Sequence, residues 1–273
     1  MLTKLEVRTS SGALLVLPLD DISDGLVLEN VDGLDPVKAT IVTSSFAQQD
    51  GTQYHSSRRD DRNITIKLGL EPDYISTTVR DLRLRVYNYF MPKSEVKLRF
   101  YMSDGLVVEI LGRVESCETS LFSKEPEMDI SVVCFDPDLI DLNLVTVAGN
   151  TTSTTTSIPV TYDGTTDTGV TFTLNVNRTL TQFTIYHNAP DGSLRLMDFA
   201  AALVAGDVVK ISTVSGSKGA TLTRGGTNSS LLYAVSPQAN WTALQHGDNH
   251  IRIYALGAAI PYTMTYMNRY GGL

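Results

Sequence analysis

The chain has 273 residues, 42% hydrophobic and 19% charged, so it is apolar enough to fold and long enough for one large β domain or two ordinary ones. Its formal net charge of -8 repels nucleic acid, which argues against a DNA-coating role and leaves room only for a local basic patch. No apolar run approaches the roughly 20 residues of a membrane helix, and the opening MLTKLEVRTSSGALLVLPL alternates like a strand instead of carrying a signal peptide's continuous apolar stretch.

In chain order, Leu5 and Val7, then Leu14, Val16 and Leu17, predict an opening hairpin about the Ser10-Ser11-Gly12 turn. A strand over 37–42 follows Asp35-Pro36. Ile64, Ile66 and Leu68 alternate with Thr65, Lys67 and Gly69 as a half-buried strand. Ile75, Val79, Leu82, Val86 and Phe90 form one apolar stripe at helical spacing, predicting a helix over about 75–91. Asp73 or Ser76 would cap its start by accepting from orphan N–H groups, and Pro92 lies just past its end. Arg80, Arg83 and Arg85 lie off the stripe and are expected to face solvent or a partner. Strands over 95–102, 106–119 and 127–135 follow, the first two joined by a Ser103-Asp104-Gly105 turn. Cys117 and Cys134 fall in these strands; a cross-strand disulfide and two buried thiols both fit, and the lack of a secreted disulfide framework favours thiols. The expectation for residues 1–148 is a β-barrel or sheet braced by one helix.

Residues 149–157, GNTTSTTTS, read as a Thr-rich linker. From 158 to 273 short apolar runs recur about every ten residues with Gly, Asn and Asp between them, the pattern of an antiparallel β-sandwich. These runs begin with IPVTYDG, include SSLLYAVS, and end with NHIRIYAL and PYTMTYMNRY. The chain is thus expected to be mainly β, in two domains.

Chemistry is sparse. His55, His187, His246 and His250 are scattered, and Gly247-Asp248-Asn249 makes the last pair a turn instead of a helical metal site. Asp20-Asp21, Asp60-Asp61 and Asp136/Asp138 could supply paired carboxylates, but adjacent acids on a strand point to opposite faces and acids flanking Pro137 fit a turn. Asp163, Asp167 and Asp191 lack the spacing of a calcium loop, and there is no nucleotide or hydrolase fingerprint. No catalytic set, metal or cofactor is expected. Trp241, with Tyr254, Tyr262 and Tyr266, is the candidate glycan-stacking set; a core or interface role is the plainer reading of the tryptophan. The remaining feature is SSRRDDRNITIKLGL (56–70), where Arg58, Arg59 and Arg62 interleave with Asp60 and Asp61 ahead of a strand. Arginine forks pair with carboxylates bidentately, so this strip suits a contact between subunits.

The stretch GLDPVKATIVTSSFAQQDGTQYHSSRRDDRNITIKLGL (33–70), the helix segment ISTTVRDLRLRVYNYF and the strand pair after it resemble the N-terminal core of distal tail proteins of long, flexible-tailed phages. The late segment WTALQHGDNHIRIYALGAAIPYTMTYMNRY is similar to the closing hairpin of the galectin-like or carbohydrate-module-like sandwich that many of them carry. The resemblance implies a non-enzymatic virion protein of the tail tip, made in the host cytoplasm and assembled as a homohexameric ring. The N-terminal domains would line a channel for DNA and the tape-measure protein, with no specific DNA binding. One face of the ring would meet the tail-tube protein and the other the tail hub or tail-associated protein, while the sandwich projects outward toward host-surface glycan.

Overall fold

The computed structural model describes residues 1–19, 21, 24–47, 50–120 and 125–273, and they divide into two compact units. The first unit comprises Met1–Leu142 and Tyr270–Leu273, the second Asn143–Arg269.

The first unit contains β1 (Leu2–Thr9), β2 (Leu14–Pro18), β3 (Leu26–Asp32), β4 (Ala39–Ser44), β5 (Gln53–Arg59), β6 (Arg62–Leu70), α1 (Val79–Phe90), β7 (Glu95–Met102), β8 (Val107–Thr119), β9 (Glu127–Cys134) and the start of β10 (Leu139–Asn150). Seven strands pair antiparallel in the order β2-β1-β7-β8-β9-β6-β3. The end strands β2 and β3 approach without a ladder, leaving a barrel with one open seam. Alternation sets its inside: Leu5 and Val7, Ile64, Ile66 and Leu68, and Val96, Leu98 and Phe100 are all buried. Leu82, Val86 and Phe90 of α1 join that core. The hairpin turn between β7 and β8 is as expected, with Gly105 at φ +90° and Asp104 Oδ1 accepting from Leu106 N at 3.1 Å.

The helix begins later than its stripe suggests. Thr78 is the N-cap and forms a capping box with Asp81, whose carboxylate accepts from Thr78 N at 3.0 Å. Asp73 instead organises the turn before it, accepting from Ser76 Oγ at 2.5 Å, Thr77 N at 2.8 Å and Ser76 N at 3.0 Å, bonds that hold its carboxyl well below the usual range. Ile75 is therefore 95% exposed, not part of the buried stripe. Arg83 and Arg85 turn back onto their own unit, the first to Ser120 O at 2.8 Å and the second to Asp24 at 2.8 Å.

The second unit holds the remainder of β10, then β11 (Ile158–Tyr162), β12 (Thr168–Gly169), β13 (Thr171–Asn175), β14 (Leu180–Asn188), β15 (Leu194–Leu203), β16 (Val208–Ser212), β17 (Gly219–Arg224), β18 (Thr227–Ser230), β19 (Ala243–Leu244), β20 (Gly247–Tyr254) and β21 (Pro261–Tyr270). One sheet runs β18-β17-β16-β13-β21-β10 and the other β11-β20-β14-β15. Phe172, Ile211 and Met264 from the first share a core with Phe183, Ile253 and Phe199 from the second. Phe183 and Phe199 are register partners whose rings stack at 4.6 Å. The run SSLLYAVS is split: β18 ends at Ser230 and Leu232–Ala234 form one 3-10 turn, dropping Leu231 into the core. The Thr-rich stretch is folded into this unit, with Thr151 buried, Thr152 bridged to Tyr254, and Thr152, Thr154 and Thr156 hydroxyls linked in a chain.

Candidate assembly surface

β4 and β5 form a two-stranded sheet of their own in the first unit, with Thr40 opposite Arg58 and Ala39 opposite Arg59. Every residue of β5 is exposed, and β4 is nearly so. A lone two-stranded hairpin in water is marginal, and among the described residues no third strand pairs with this one. This one nevertheless exposes four large apolar side chains: Ile41, Val42, Phe46 and Tyr54. His55 Nε2 lies 2.7 Å from Ser44 Oγ, and Tyr54 and Ser57 hydroxyls are 2.9 Å apart.

The Arg/Asp strip occupies the end of this hairpin, and its members divide by role. Asp60 turns inward along the hairpin, accepting from Thr40 Oγ1 at 2.7 and 2.9 Å, while its N–H donates to Lys38 O at 3.0 Å. Arg59 forks onto buried Asp138, Nη2 to Oδ2 at 3.1 Å with a closer Nη1–Oδ1 bond beside it. Arg62, expected at a subunit contact, is 1% exposed and its guanidinium serves its own unit. It donates from Nε to Pro137 O (2.7 Å), from Nη1 to Gly33 O (2.5 Å) and Asp35 O (2.8 Å), and from Nη2 to Gly271 O (2.6 Å). Burial pulls its pKa down, offset in part by the neighbouring acids Asp138 and Asp35. Arg58 and Asp61 are exposed and make no side-chain bond among the described residues.

Of the acid pairs, Asp136 and Asp138 share a turn, with Asp138 N donating to Asp136 Oδ1 at 3.3 Å; Asp20 lies outside the described residues. Cys117 and Cys134 are both free, and burial pushes their thiols up to about 11 and about 12. No group of His, Cys, Asp and Glu among the described residues is arranged to hold a metal ion.

The four aromatics of the glycan set separate into two environments. Alternation on β21 turns Tyr262, Met264 and Tyr266 inward together. Burial raises the Tyr262 phenol to about 12, and Tyr266 packs edge-on against Tyr162 at 5.9 Å. Tyr254 on β20 and Trp241 are half-buried, Trp241 packing against the core with Lys218 Nζ 6.0 Å from its ring centre. Two of the four rings are therefore partly exposed, and two face the core.

Comparison with known proteins gives one match in each unit. Residues 21–127 match the phage tail protein RIFT-related domain, and residues 163–270 match the C-terminal domain of the siphovirus-type tail component. Among solved structures, the chain is similar to the SPP1 Dit (gp 19.1) protein, described as a paradigm of hub adsorption apparatus in phages infecting Gram-positive hosts. That likeness covers 97% of this chain and 98% of that one, at a TM-score of 0.72 and 14% identity. It is also similar to chains of the phage P2 baseplate in its activated conformation with Ca (TM-score 0.48, 10% identity, 97% of this chain and 98% of that one) and with Sr (0.46, 10%, 96% and 97%). No curated protein matches it.

Proposed function

Starting from a chain that belongs to the siphovirus-type distal tail proteins, a structural family of the phage tail tip and baseplate, we propose that it forms a homohexameric ring joining the tail tube to the tip. The first unit lines a channel for DNA and the tape-measure protein. The ring contacts the tail-tube protein on one face and the tail hub or tail-associated protein on the other. Its role is to connect, not to catalyse, and its place is the virion tail, after synthesis in the host cytoplasm.

The observation that carries this reading is the uncovered β4–β5 hairpin. A ring needs a heterologous contact, in which one surface of a subunit meets a different surface of the next. An arm with four exposed apolar side chains and two unpaired strand edges supplies one such surface. A second copy of this chain is the occupant we assign, because Arg58 and Asp61 offer one free charge of each sign at the arm's end. Negative-stain images of the pure protein should show rings with a central hole. Arg58→Glu should weaken them, and Arg58→Glu with Asp61→Arg should restore part of the loss; no effect of either would remove this strip from the interface.

A second reading places a host-surface glycan on the second unit, favoured by the partly exposed rings of Trp241 and Tyr254. Binding to cell-wall polymer that Trp241→Ala abolishes would support it, and no binding to any such polymer would leave the connecting role alone.

A further inference from the structure

The Gly33-Leu34-Asp35-Pro36 stretch that leads into the arm is gripped on all four residues. Gly33 O and Asp35 O accept from the buried Arg62 guanidinium. Leu34 O accepts from Leu273 N at 3.0 Å. Pro36 lies against Gly272, where an added Cβ would stand 2.6 Å from the proline Cδ. Gly33 itself has φ +89° and no room for a side chain, since a Cβ there would meet Asn63 O at 2.0 Å. Arg62 also holds Gly271 O, so one side chain ties the closing segment Tyr270–Leu273, the arm's entry and the Pro137 turn together.

We propose that Arg62 and the closing segment form a latch that sets the root of the β4–β5 arm, so that the arm is presented for subunit contact only when the tail is seated. Arg62 is thereby a positioning residue: it touches no neighbour in the ring and acts through the arm. The chemistry favours this over a generic core role. A guanidinium presents donors in a rigid planar fork that can satisfy four carbonyls from three segments, whereas an apolar side chain would supply none of these four bonds. Both partners of the strip on the strand side point the same way, since Arg59 on Asp138 and Asp60 on Thr40 fix the arm's other strand at the same end. What the arm then meets rests on the ring reading above; the latch itself does not.

The test is hydrogen exchange read by mass spectrometry on the full chain, comparing wild type, Arg62→Lys and Gly272→Val, with ring assembly followed in parallel. Lysine keeps the charge but cannot span the four carbonyls, and valine at 272 dislodges the tail while leaving Arg62 in place. Residues 33–40 and 53–60 should exchange at least about tenfold faster in both variants while α1 and β7–β9 keep their protection. Rings of Gly272→Val should weaken at an unchanged barrel melting temperature. Unchanged exchange of the arm in Gly272→Val would overturn the latch, and so would equal loss of protection across the barrel. If Arg62→Lys fails to fold, Gly272→Val decides alone. Faster arm exchange in a protein whose wild type never forms rings would uphold the latch and remove the ring reading.

Discussion

Replacing Ile41 and Tyr54 together by serine perturbs the proposed interface without touching its root. The two side chains are 61% and 60% exposed, so most of each awaits cover. Full burial of a large apolar side chain is worth about 1.5–3 kcal/mol, and a little over half of that, about 1 kcal/mol each, remains to be gained at an interface. Losing both costs about 2 kcal/mol per contact, or about 30-fold in the association constant of one contact. Because exposed substitutions away from caps and cores change stability by about 0.5 kcal/mol or less, the monomer should melt as before. Sedimentation velocity across a concentration series, with melting measured on the same samples, separates the two quantities. Assembly shifted to higher concentration at constant melting temperature is the expected result. An unchanged concentration dependence would refute the assignment of the arm to the interface, since no other account gives these two exposed residues a shared role in assembly.

Three further outcomes follow from local chemistry. Thr78→Ala removes the side-chain half of the capping box, the hydroxyl that accepts from Asp81 N, and should destabilise the first unit by about 1 kcal/mol, a fall of about 2–4 °C in its melting midpoint by calorimetry. His187 is fully buried; its Nε2 lies 2.9 Å from Asn249 Oδ1, and that amide donates through Nδ2 to Gln245 O and Gly247 O, so Nε2 carries the proton. Its Nδ1 has no partner among the described residues, and burial lowers its pKa despite the Asn249 bond and the pull of Asp191 and Asp167, Arg195 adding to the fall. The neutral form is thus the folded form: stability from this site is complete above the unfolded value near ~6.5 and is lost as pH falls through the lowered folded value. His187→Gln should flatten the acid-side slope of second-unit melting below about pH 6.5; an unchanged slope would show that other groups set it. Cys134, buried and raised to about 12, should resist alkylation at pH 8 until the first unit unfolds, with Cys117 reacting sooner because it is partly exposed.

How much of this was readable from residues alone depends on where each residue's partners lie. Alternation at Ile64, Ile66 and Leu68 reports a face buried locally, and the strand is where the pattern puts it. The helix stripe holds from Val79 to Phe90 but not at Ile75, which has the right spacing on a backbone that Asp73 and Thr78 turn before helix begins. QYHSSRR carries no apolar alternation because β5 is exposed on both faces, so burial leaves no trace of that strand in the sequence. Inward-facing Tyr262 and Tyr266 were visible in the alternation through Met264, although aromatic content alone suggested a binding set. Arg62 is the opposite case. Its burial depends on a carbonyl 209 residues away, which no local window contains. The proposed assembly surface is similarly split, its charges legible as composition and its root fixed by tertiary contacts.

Native mass measurement of the purified full chain tests the central claim most directly, because it counts copies of a 29.8 kDa subunit without assuming a shape. A dominant closed species of six copies is the predicted result, dissociating when Ile41 and Tyr54 are replaced. A strict monomer at every concentration, up to that at which the protein remains in solution, would contradict it.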